Sequence, residues 1–344
     1  MAEAAIERRG PGGVITWQSA VAFTISLALL GFLATSFKPD FGGIKEQIEH
    51  TSAFLLLLAF GAHYLSLVVR AWRWRIMLVA SAGPEIGPVP SVGTCSLYLL
   101  LCWFVNAISW LRLGNVYRAY LVSKRTGGSV FWAIGTVVSE RFLDLAAVLL
   151  MLAVAGALLL STSESRHVWP FLATALAVTG GLVLVLIVLR RGESRLTRLV
   201  PPRLRDAYER FIASALASVW NRDLPVLLLL TLAGWGLEMA RLWLVVLALH
   251  LHISPEMLLF VTFAQGLLIS APLTPGGLGV VEPGLTGVLL FAFARDQALS
   301  IALLDRSISY VSIVLIGTLA FGLYEVAGRL GNSSRQVPAR PPAI

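Results

Sequence analysis

The feature that most constrains this chain is a break between two strongly apolar runs, at Ala271–Gly284. Its sequence, APLTPGGLGVVEPG, contains three prolines, four glycines and one carboxylate. Proline removes a backbone donor and glycine loosens a helix, so this stretch cannot form a plain helix that faces lipid. Broken backbone at membrane depth is tolerated only where protein or a water-filled cavity surrounds it. We therefore predict the tip of a re-entrant hairpin; the alternative is an ordinary loop between two spanning helices.

The composition predicts an all-α polytopic membrane protein. Hydrophobic residues make up 57% of the chain and charged residues 13%, and the mean hydropathy is +0.80. Soluble proteins carry about 25% charged residues. The net charge of +8 does not indicate nucleic acid as a partner, because excess Lys and Arg in a membrane protein mark cytoplasmic loops. Cys95 and Cys102 lie too far apart on one predicted helix for a disulfide, and no Cys/His cluster predicts a metal, so we expect no metal and no cofactor.

The apolar stretches predict about six spanning helices and two re-entrant helical hairpins. The predicted spans are Val14–Phe37, Thr51–Ala80, Ser129–Leu160, Phe171–Leu189, Leu224–His250 and Ala298–Val326. If Ser91–Arg125 forms a hairpin instead of crossing once, and the N-terminus is cytoplasmic, the inside segments collect most of the 27 Lys and Arg residues. The positive-inside tendency favours this arrangement. It predicts a protein of the cytoplasmic (inner) membrane with both termini in the cytoplasm.

Two basic segments outside the hairpin tips are expected at the membrane surface. At the end of the second span, three arginines alternate with two tryptophans: Arg70, Trp72, Arg73, Trp74 and Arg75. Arginine and tryptophan together are typical of a membrane interface. The segment Arg190–Asp223 has apolar residues at helical spacing, which predicts an amphipathic helix on an anionic membrane surface.

Short sequence echoes indicate an internal duplication. Arg70-Ala-Trp72 recurs as Arg241-Leu-Trp243, and the separations from Gly114 to Arg141 and from Gly279 to Arg306 are both 27 residues. Each unit would contain three crossings and one hairpin, so the second would be inverted, as in many transporters. The predicted organisation is a cytoplasmic segment 1–13, a first repeat 14–160 with its hairpin at 91–125, a second repeat 161–327 with an amphipathic cytoplasmic segment 190–223 and a hairpin at 255–295, and a disordered cytoplasmic tail 328–344.

Ionisable residues within the predicted membrane segments are the strongest functional signal. A charge at the bilayer centre costs about 2.5–3.5 kcal/mol, yet the chain places eight there: Glu140, Arg141, Asp144, Glu238, Arg241, Glu282, Asp305 and Arg306. Any one of them can be a structural ion pair, since Arg141 with Asp144, and Glu238 with Arg241, have the spacing of neighbours on one helix. As a set they predict a site for an anionic ligand, because guanidinium groups match phosphate and helix N-termini add positive potential.

Several of these residues belong to motifs that resemble a known family. The motifs are Asn106 with Arg112, Gly114 and Arg118, then Glu140-Arg141-x-x-Asp144, then Pro275-Gly-Gly-Leu-Gly-Val-Val-Glu282, then Arg306-x-x-x-Tyr310. They resemble the flippase-like transmembrane region of lysylphosphatidylglycerol synthases, in its stand-alone form. The resemblance runs from about Arg70 to Gly322 and implies movement of polar lipids or lipid-linked saccharides between leaflets. Two positions depart from the family pattern: Trp110 replaces a usual proline, and Asn115 replaces a usual glutamate.

The resemblance and the charge pattern together predict a substrate site and a set of acids that support it. The expected substrate-binding residues are Asn106, Arg112, Gly114, Arg118, Arg141, Pro275, Gly276, Gly277, Gly279, Arg306 and Tyr310. The acids expected to orient the arginines or to exchange protons are Glu140, Asp144, Glu238, Glu282 and Asp305. No catalytic residue is predicted. No soluble acyltransferase-like domain is expected after the last span, so aminoacyl transfer to lipid is not expected from this chain.

Three functions fit the sequence. The first is a flippase or transporter for an anionic polar lipid or lipid-linked saccharide, and the second a membrane glycosyl- or phospho-transferase acting on a polyprenyl-phosphate lipid. The third is an accessory subunit that binds lipid without transporting it. The sequence contains neither an Asp-x-Asp motif nor a phosphate-binding loop, which disfavours the transferase and ATP-driven transport. We therefore expect a non-enzymatic transporter whose partners are membrane lipids with anionic headgroups, and either further copies of itself or a separate lipid-modifying enzyme.

Overall fold

The computed structural model describes residues 51–109, 112–159, 201–270 and 274–333, together with residues 173, 177 and 181. Every regular element in these ranges is helical. The predicted N-terminal segment 1–13, the span Val14–Phe37 and Trp110 lie outside the described residues, as does the span Phe171–Leu189 apart from residues 173, 177 and 181. So do residues 190–200 of the predicted amphipathic segment and residues 334–344 of the predicted tail. The tail prediction is wrong at its start, because the last helix continues past Gly328 to Ser333.

Ten α-helices follow one another along the described chain. They are α1 (Ala53–Ser81), α2 (Val92–Ile108), α3 (Gly114–Thr126), α4 (Val130–Leu159), α5 (Pro202–Val219), α6 (Leu224–Ala248), α7 (Pro255–Ser270), α8 (Val281–Leu289), α9 (Arg295–Arg306) and α10 (Ser312–Ser333). A 3-10 turn at Pro275–Gly277 precedes α8, and a π-helical turn at Ser307–Val311 joins α9 to α10.

Four helical segments of the described chain are long and apolar enough to cross a membrane. They are α1, α4, α6 and the continuous helix Arg295–Val326, and they coincide with four of the six predicted spans. In contrast, α2 and α7 are apolar but contain only 17 and 16 residues. At 1.5 Å per residue they reach about 25 Å, less than the roughly 30 Å thickness of a hydrocarbon core. This length is what the arm of a hairpin requires.

The segment 91–125 forms a helical hairpin that returns to the side from which it started. The backbone N–H of Gly87, just before α2, donates to the carbonyl oxygen of Thr126 at the end of α3, at 2.8 Å. Near the same place, Trp132 at the start of α4 donates through its indole N–H to the carbonyl oxygen of Ser81 at the end of α1, at 2.9 Å. The chain therefore leaves α1 and enters α4 at the same end of the hairpin, as the predicted re-entrant arrangement requires.

The two arms of this first hairpin cross at very close range at Gly114. A Cβ atom at this position would collide with the carbonyl oxygen of Cys102 and would lie 2.7 Å from Oδ1 of Asn106. That same Oδ1 accepts the backbone N–H of Gly114 at 2.9 Å, which satisfies one of the free donors at the start of α3. Gly114 is thus needed for packing, and Asn106 ties the end of α2 to the start of α3.

Helices α1 and α6 form an antiparallel pair at the centre of the molecule. The N–H of Ser52 donates to Ala248 at one end, and Arg73 donates to Thr231 towards the other. Around this pair, the first arm of each hairpin packs on the last span of the other half: α2 contacts α10, and α7 contacts α4. This exchange is compatible with the predicted inverted repeat, which stays a prediction.

The charged residues lie between two apolar clusters. Along α4, Trp132, Ala133 and Val137 belong to a cluster built mainly with α1, α2 and α3. Residues further along the same helix, including Val148 and Leu152, belong to a cluster built with α6, α7, α8 and α9. The charges of α4 fall between these two sets. Helix α5, the described part of the predicted amphipathic segment, packs on α4 through Ser214, whose hydroxyl donates to the carbonyl oxygen of Trp132 at 2.8 Å.

Candidate functional site

A cavity of about 440 Å³ lies where the two hairpin tips meet the central helices. The first tip contributes Arg112, and the second contributes Thr274, Gly276 and Gly277. Helices α1, α4 and α6 and the segment around the π-helical turn supply the other polar walls. Five arginines line the cavity, together with two carboxylates: Arg70, Arg112, Arg141, Arg241 and Arg306, with Asp144 and Glu238.

One charge cluster lies behind the cavity wall, and we call it the closed cluster: Arg73, Arg118 and Glu140. The guanidinium of Arg73 lies between Glu140, at 3.1 Å, and Asp144, at 2.7 Å, and also donates to Thr231 at 2.7 Å. Arg118 pairs with Glu140 and stacks on the ring of Trp74 at 4.5 Å from its centroid. All three members of the cluster have no solvent exposure. The two arginines share Glu140, and Arg73 also pairs with Asp144, so their full burial within ion pairs indicates a structural role.

The expectation that Arg73 lies at a membrane interface is wrong. Arg73 and Trp74 are completely buried, Arg70 is 8% exposed, and only Trp72 among these four is largely exposed, at 49%. In an α-helix, residues three and four apart share a face, so Arg70, Arg73 and Trp74 all point towards the core. Alternation of Arg and Trp along the sequence therefore gave the wrong location, because a helix does not have a period of two.

A second set of charges joins α6, α7 and α9. Arg241 donates through Nε to Asp305 at 2.9 Å and through Nη1 to Glu238 at 2.6 Å. The side-chain amide of Gln265 donates to the other oxygen of Asp305 at 2.7 Å. Asp305 is fully buried, and its oxygens accept these hydrogen bonds. Glu238 and Arg241 also face the cavity, so this set connects the cavity wall to the interior.

The second hairpin tip is organised by a set of residues that we call the open cluster: Arg306, Glu282, Gly276 and Tyr310. Arg306 donates to Glu282 at 2.8 Å and to the carbonyl oxygen of Gly276 at 2.9 Å. Glu282 in turn accepts the backbone N–H of Gly279 at 2.7 Å. The phenol of Tyr310 lies under the Arg306 guanidinium and donates to the carbonyl oxygen of Ala107, at the end of α2, at 3.2 Å. This last bond joins the second tip to the first hairpin.

Backbone conformation explains why the second tip is rich in glycine. Gly276, Gly277 and Gly279 have φ angles of 58°, 75° and 76°, in a region that residues with a Cβ atom rarely adopt. The first tip holds the contrasting case, because Arg112 has a φ of 54° although it is not a glycine. Strained backbone of this kind clusters at functional sites, and Arg112 lines the cavity.

Several polar atoms on the cavity-lining residues are buried yet make no hydrogen bond within the described part of the chain. They include Nε of Arg70, Nε of Arg141, Oδ2 of Asp144, Oγ1 of Thr274 and Oγ of Ser309. Buried polar groups are nearly always hydrogen-bonded in folded proteins. Arg141 is also held loosely, because its distances to Glu140 and Asp144 are 3.8 Å and 3.7 Å. These atoms are thus buried donors and acceptors whose partners the described residues do not supply.

The structure brings about half of the predicted site residues to the cavity. Those that line it are Asn106, Arg112, Arg141, Gly276, Gly277, Arg306 and Tyr310, with the acids Asp144 and Glu238. Gly114, Arg118, Pro275 and Gly279, with the acids Glu140, Glu282 and Asp305, are absent from the lining and lie behind it. Arg118 in particular does not reach the cavity, because Trp74 and Glu140 hold it inside the protein.

Sequence reasoning missed other cavity residues, among them His63, Trp103, Trp235 and Gln265. Gln265 was detectable as the one amide in an otherwise apolar helix, α7. His63 and Arg70 are seven residues apart on α1, which places them on one helical face. Once Arg70 is known to face the interior, this spacing predicts that His63 faces the interior as well.

The sequence is matched by the family model for the lysylphosphatidylglycerol synthase TM region over residues 19–317. The chain belongs to this family. It is also similar to a UPF0104 membrane protein of Methanocaldococcus jannaschii, with 31% identity over 223 residues, covering 64% of this chain and 94% of that protein. A UPF0104 membrane protein of Methanothermobacter thermautotrophicus is 25% identical over 332 residues, covering 88% and 91%. The resemblance seen in the motifs is confirmed, and the chain is an integral membrane protein of this family.

Proposed function

We propose that this protein moves an anionic polar lipid or a lipid-linked saccharide between the leaflets of the cytoplasmic membrane. The observation that carries the proposal is the cavity between the two hairpin tips, where five arginines face two carboxylates. A lining with this excess of positive charge favours an anion. Arginine is suited to phosphate because its planar fork of donors matches two phosphate oxygens at once.

The state of the individual arginines supports a site that is ready for a ligand. In the closed cluster, Arg73 and Arg118 lie within 3.1 Å of carboxylate oxygens, although both of their Nε atoms also make no hydrogen bond within the described residues. In the cavity, Arg70 and Arg141 are held more loosely, with carboxylate oxygens at 3.3 Å from Arg70 and at 3.7 and 3.8 Å from Arg141. In a medium of low dielectric constant such donors interact strongly with an anion. The acids behind the wall, Glu140, Glu282 and Asp305, would hold the arginines in position.

A lipid is favoured over a free soluble anion by the apolar walls and by the setting. Trp103, Leu145, Ile269 and Ile313 line the same cavity as the arginines, so charged and apolar surfaces are adjacent. The helices around it include the four of the described chain that are able to span a membrane. A headgroup could occupy the charged part of the cavity while its chains stay among the apolar helices. Membership of a family named for a lipid synthase adds support.

We further propose that the two halves are inverted repeats that rock against each other. The central helices α1 and α6 run antiparallel, and the two hairpin arms exchange partners between halves in a symmetric way. Binding sites of inverted-repeat transporters lie between the repeats, at broken helices near the midplane. The position of the cavity between the two hairpin tips supports this proposal. Alternating exposure of the cavity to the two leaflets would move a headgroup without an ATP-binding domain.

Reconstitution into liposomes tests the proposal. The purified protein is placed in vesicles with a fluorescent phosphatidylglycerol or a fluorescent phosphatidylcholine, and a membrane-impermeant quencher reports how much label stays protected. We expect the phosphatidylglycerol label to exchange between leaflets faster than in protein-free vesicles and faster than the zwitterionic label.

The matched variants for this assay are Arg141→Gln, in the cavity, and Arg222→Gln, on an exposed loop. Each removes one arginine, so the net charge changes equally. We expect slow exchange with the first and normal exchange with the second. Chemical conversion of the labelled lipid would favour a transferase, and binding without exchange would favour an accessory subunit.

A further inference from the structure

A histidine of α1 lines the cavity, although neither the motifs nor the charge pattern predicted it there. His63 is 4% exposed and lines the cavity beside Glu238 and Arg241. Its Nδ1 atom lies 3.1 Å from Nη1 of Arg241 and 3.4 Å from Glu238. Its Nε2 atom is buried and makes no hydrogen bond with any residue that the structure describes.

The contact with Arg241 determines where the imidazole proton lies. A guanidinium donates hydrogen bonds and accepts none. Nη1 of Arg241 donates to Glu238 at 2.6 Å and points a second hydrogen at His63 Nδ1, while Nε and Nη2 donate to Asp305 at 2.9 Å and 3.4 Å. A proton on Nδ1 would face a hydrogen of Arg241 directly. We therefore take Nδ1 as the acceptor from Arg241 and not as a donor to Glu238, which lies further away at 3.4 Å; in this tautomer the ring hydrogen is on Nε2.

The surrounding rings fix the direction of this donor. The imidazole packs against Trp103 at a centroid distance of 5.4 Å and meets the edge of Tyr64 at 5.4 Å. Because Nδ1 is held by Arg241, the ring cannot turn over without losing that hydrogen bond. The result is a rigid N–H group in the cavity wall, which is the condition under which a single donor distinguishes ligands.

We propose that His63 is a ligand-binding residue whose Nε2–H donates to an acceptor oxygen of the anionic headgroup. This inference rests on the proposed function and adds a specificity-determining contact to it. The arginines supply charge to any anion, whereas the histidine requires an oxygen at one defined place. It therefore selects among anionic headgroups by shape, in addition to the selection by charge.

Two substitutions separate the donor from the rest of the side chain. In His63→Asn, the amide oxygen can still accept from Arg241, but no donor reaches the position of Nε2. In His63→Gln, the amide nitrogen takes the approximate position of Nε2. Binding of dihexanoylphosphatidylglycerol to the detergent-purified full chain is measured by calorimetry for both variants and the wild type. His252→Asn, at an exposed position before α7, is the control.

We expect His63→Asn to weaken binding about 10- to 150-fold, the effect of losing a hydrogen bond to a charged acceptor. His63→Gln should stay within about threefold of wild type, and His252→Asn should be unchanged. Equal affinity of His63→Asn and wild type would overturn the inference, as would a His63→Gln protein as weak as His63→Asn. If wild type binds no phosphatidylglycerol, the proposed function fails and the inference fails with it. Should His63→Asn not fold, His63→Met, which lacks a donor, replaces it in the same comparison.

Discussion

The closed and open clusters use the same chemistry for different purposes. In both, arginine pairs with glutamate inside the membrane region, at distances near 3 Å. No member of the closed cluster is exposed or lines the cavity, and its two arginines, from α1 and α3, pair with carboxylates of a single helix, α4. The open cluster has one arginine, which is bound to a carboxylate and to a backbone carbonyl of the broken tip and is itself part of the cavity lining. Ion pairing alone therefore does not identify a binding site; the surface that the pair leaves free does.

The largest effect is expected from breaking the closed cluster. Arg73→Ala leaves Glu140 and Asp144 with less compensation inside the protein, and removing one partner of a buried pair costs about 3–5 kcal/mol. We expect little folded protein and a strongly reduced melting temperature, measured in detergent with size-exclusion profiles as a second readout. Arg75→Ala, two residues away on the same helix, removes only a hydrogen bond to Pro90 and should cost about 1 kcal/mol. Similar melting temperatures for the two variants would remove the distinction between the clusters.

The next effect is expected in the open cluster. Arg306→Ala should fold, because Glu282 is partly exposed and keeps its hydrogen bond from the Gly279 N–H, but it should lose most lipid binding and exchange. Arg306→Lys should restore only part of the activity, since an ammonium cannot make the two-pronged contact of a guanidinium. Lipid affinity and melting temperature are measured on the same preparations. A well-folded Arg306→Ala protein with unchanged affinity and exchange would refute the assignment of Arg306 to the ligand.

A smaller and opposite pair of effects is expected at the first tip. Arg112→Gly relieves the left-handed backbone at this position, where strain costs roughly 1 kcal/mol or more, and it removes one cavity arginine. We expect a melting temperature a few degrees higher and a weaker affinity for phosphatidylglycerol. Arg112→Ala should lose affinity without the gain in stability, because alanine keeps the strain. Equal melting temperatures for Arg112→Gly and Arg112→Ala would contradict the view that the backbone at Arg112 is strained and that the strain is retained for function.

The smallest effect on the protein is expected from single cysteine substitutions, which test on which side of the membrane the ends of the two halves lie. In a background without the buried Cys95 and Cys102, single cysteines replace Lys124, at the end of the first hairpin, and Gln297, in the first turn of α9. We expect Lys124→Cys to react with an impermeant reagent only from the cytoplasm and Gln297→Cys only from outside. Thr197→Cys and Ser163→Cys, outside the described residues, extend the test and should react from the cytoplasm and from outside. Labelling of position 124 from outside would contradict the predicted topology.

How much of the structure could be predicted from the sequence depends on how far apart along the chain the interacting residues lie. Local features could be predicted: the broken tip at Pro275–Gly279, the hairpin at 91–125, and the pairing of Glu238 with Arg241, which are three residues apart. Contacts between helices that are distant in sequence could not be predicted; examples are Arg73 with Glu140 and Arg241 with Asp305. Their partners are set by how whole helices pack, and no local pattern records that.

The cavity residues divide in the same way. Arg141 and Arg306 stood out because arginines in apolar helices are rare. Arg70 was assigned to the membrane surface from its tryptophan neighbours, and only packing shows that it faces inward. His63 could not be distinguished from an ordinary core histidine until Arg241 was placed beside it. The inverted repeat and the roles of the site residues stay predictions.

The π-helical turn at Ser307–Val311 has a consequence for the helix that contains it. An α-helix advances about 100° per residue, so Ile301, Asp305, Leu319 and Leu323 would all project to one face if α9 and α10 were a single α-helix. Yet Ile301 and Asp305 have no exposure, whereas Leu319 and Leu323 are 69% and 72% exposed. The wider turn shifts the angular phase of everything after it. The same helical face is therefore buried in the protein before Arg306 and exposed after the π-helical turn.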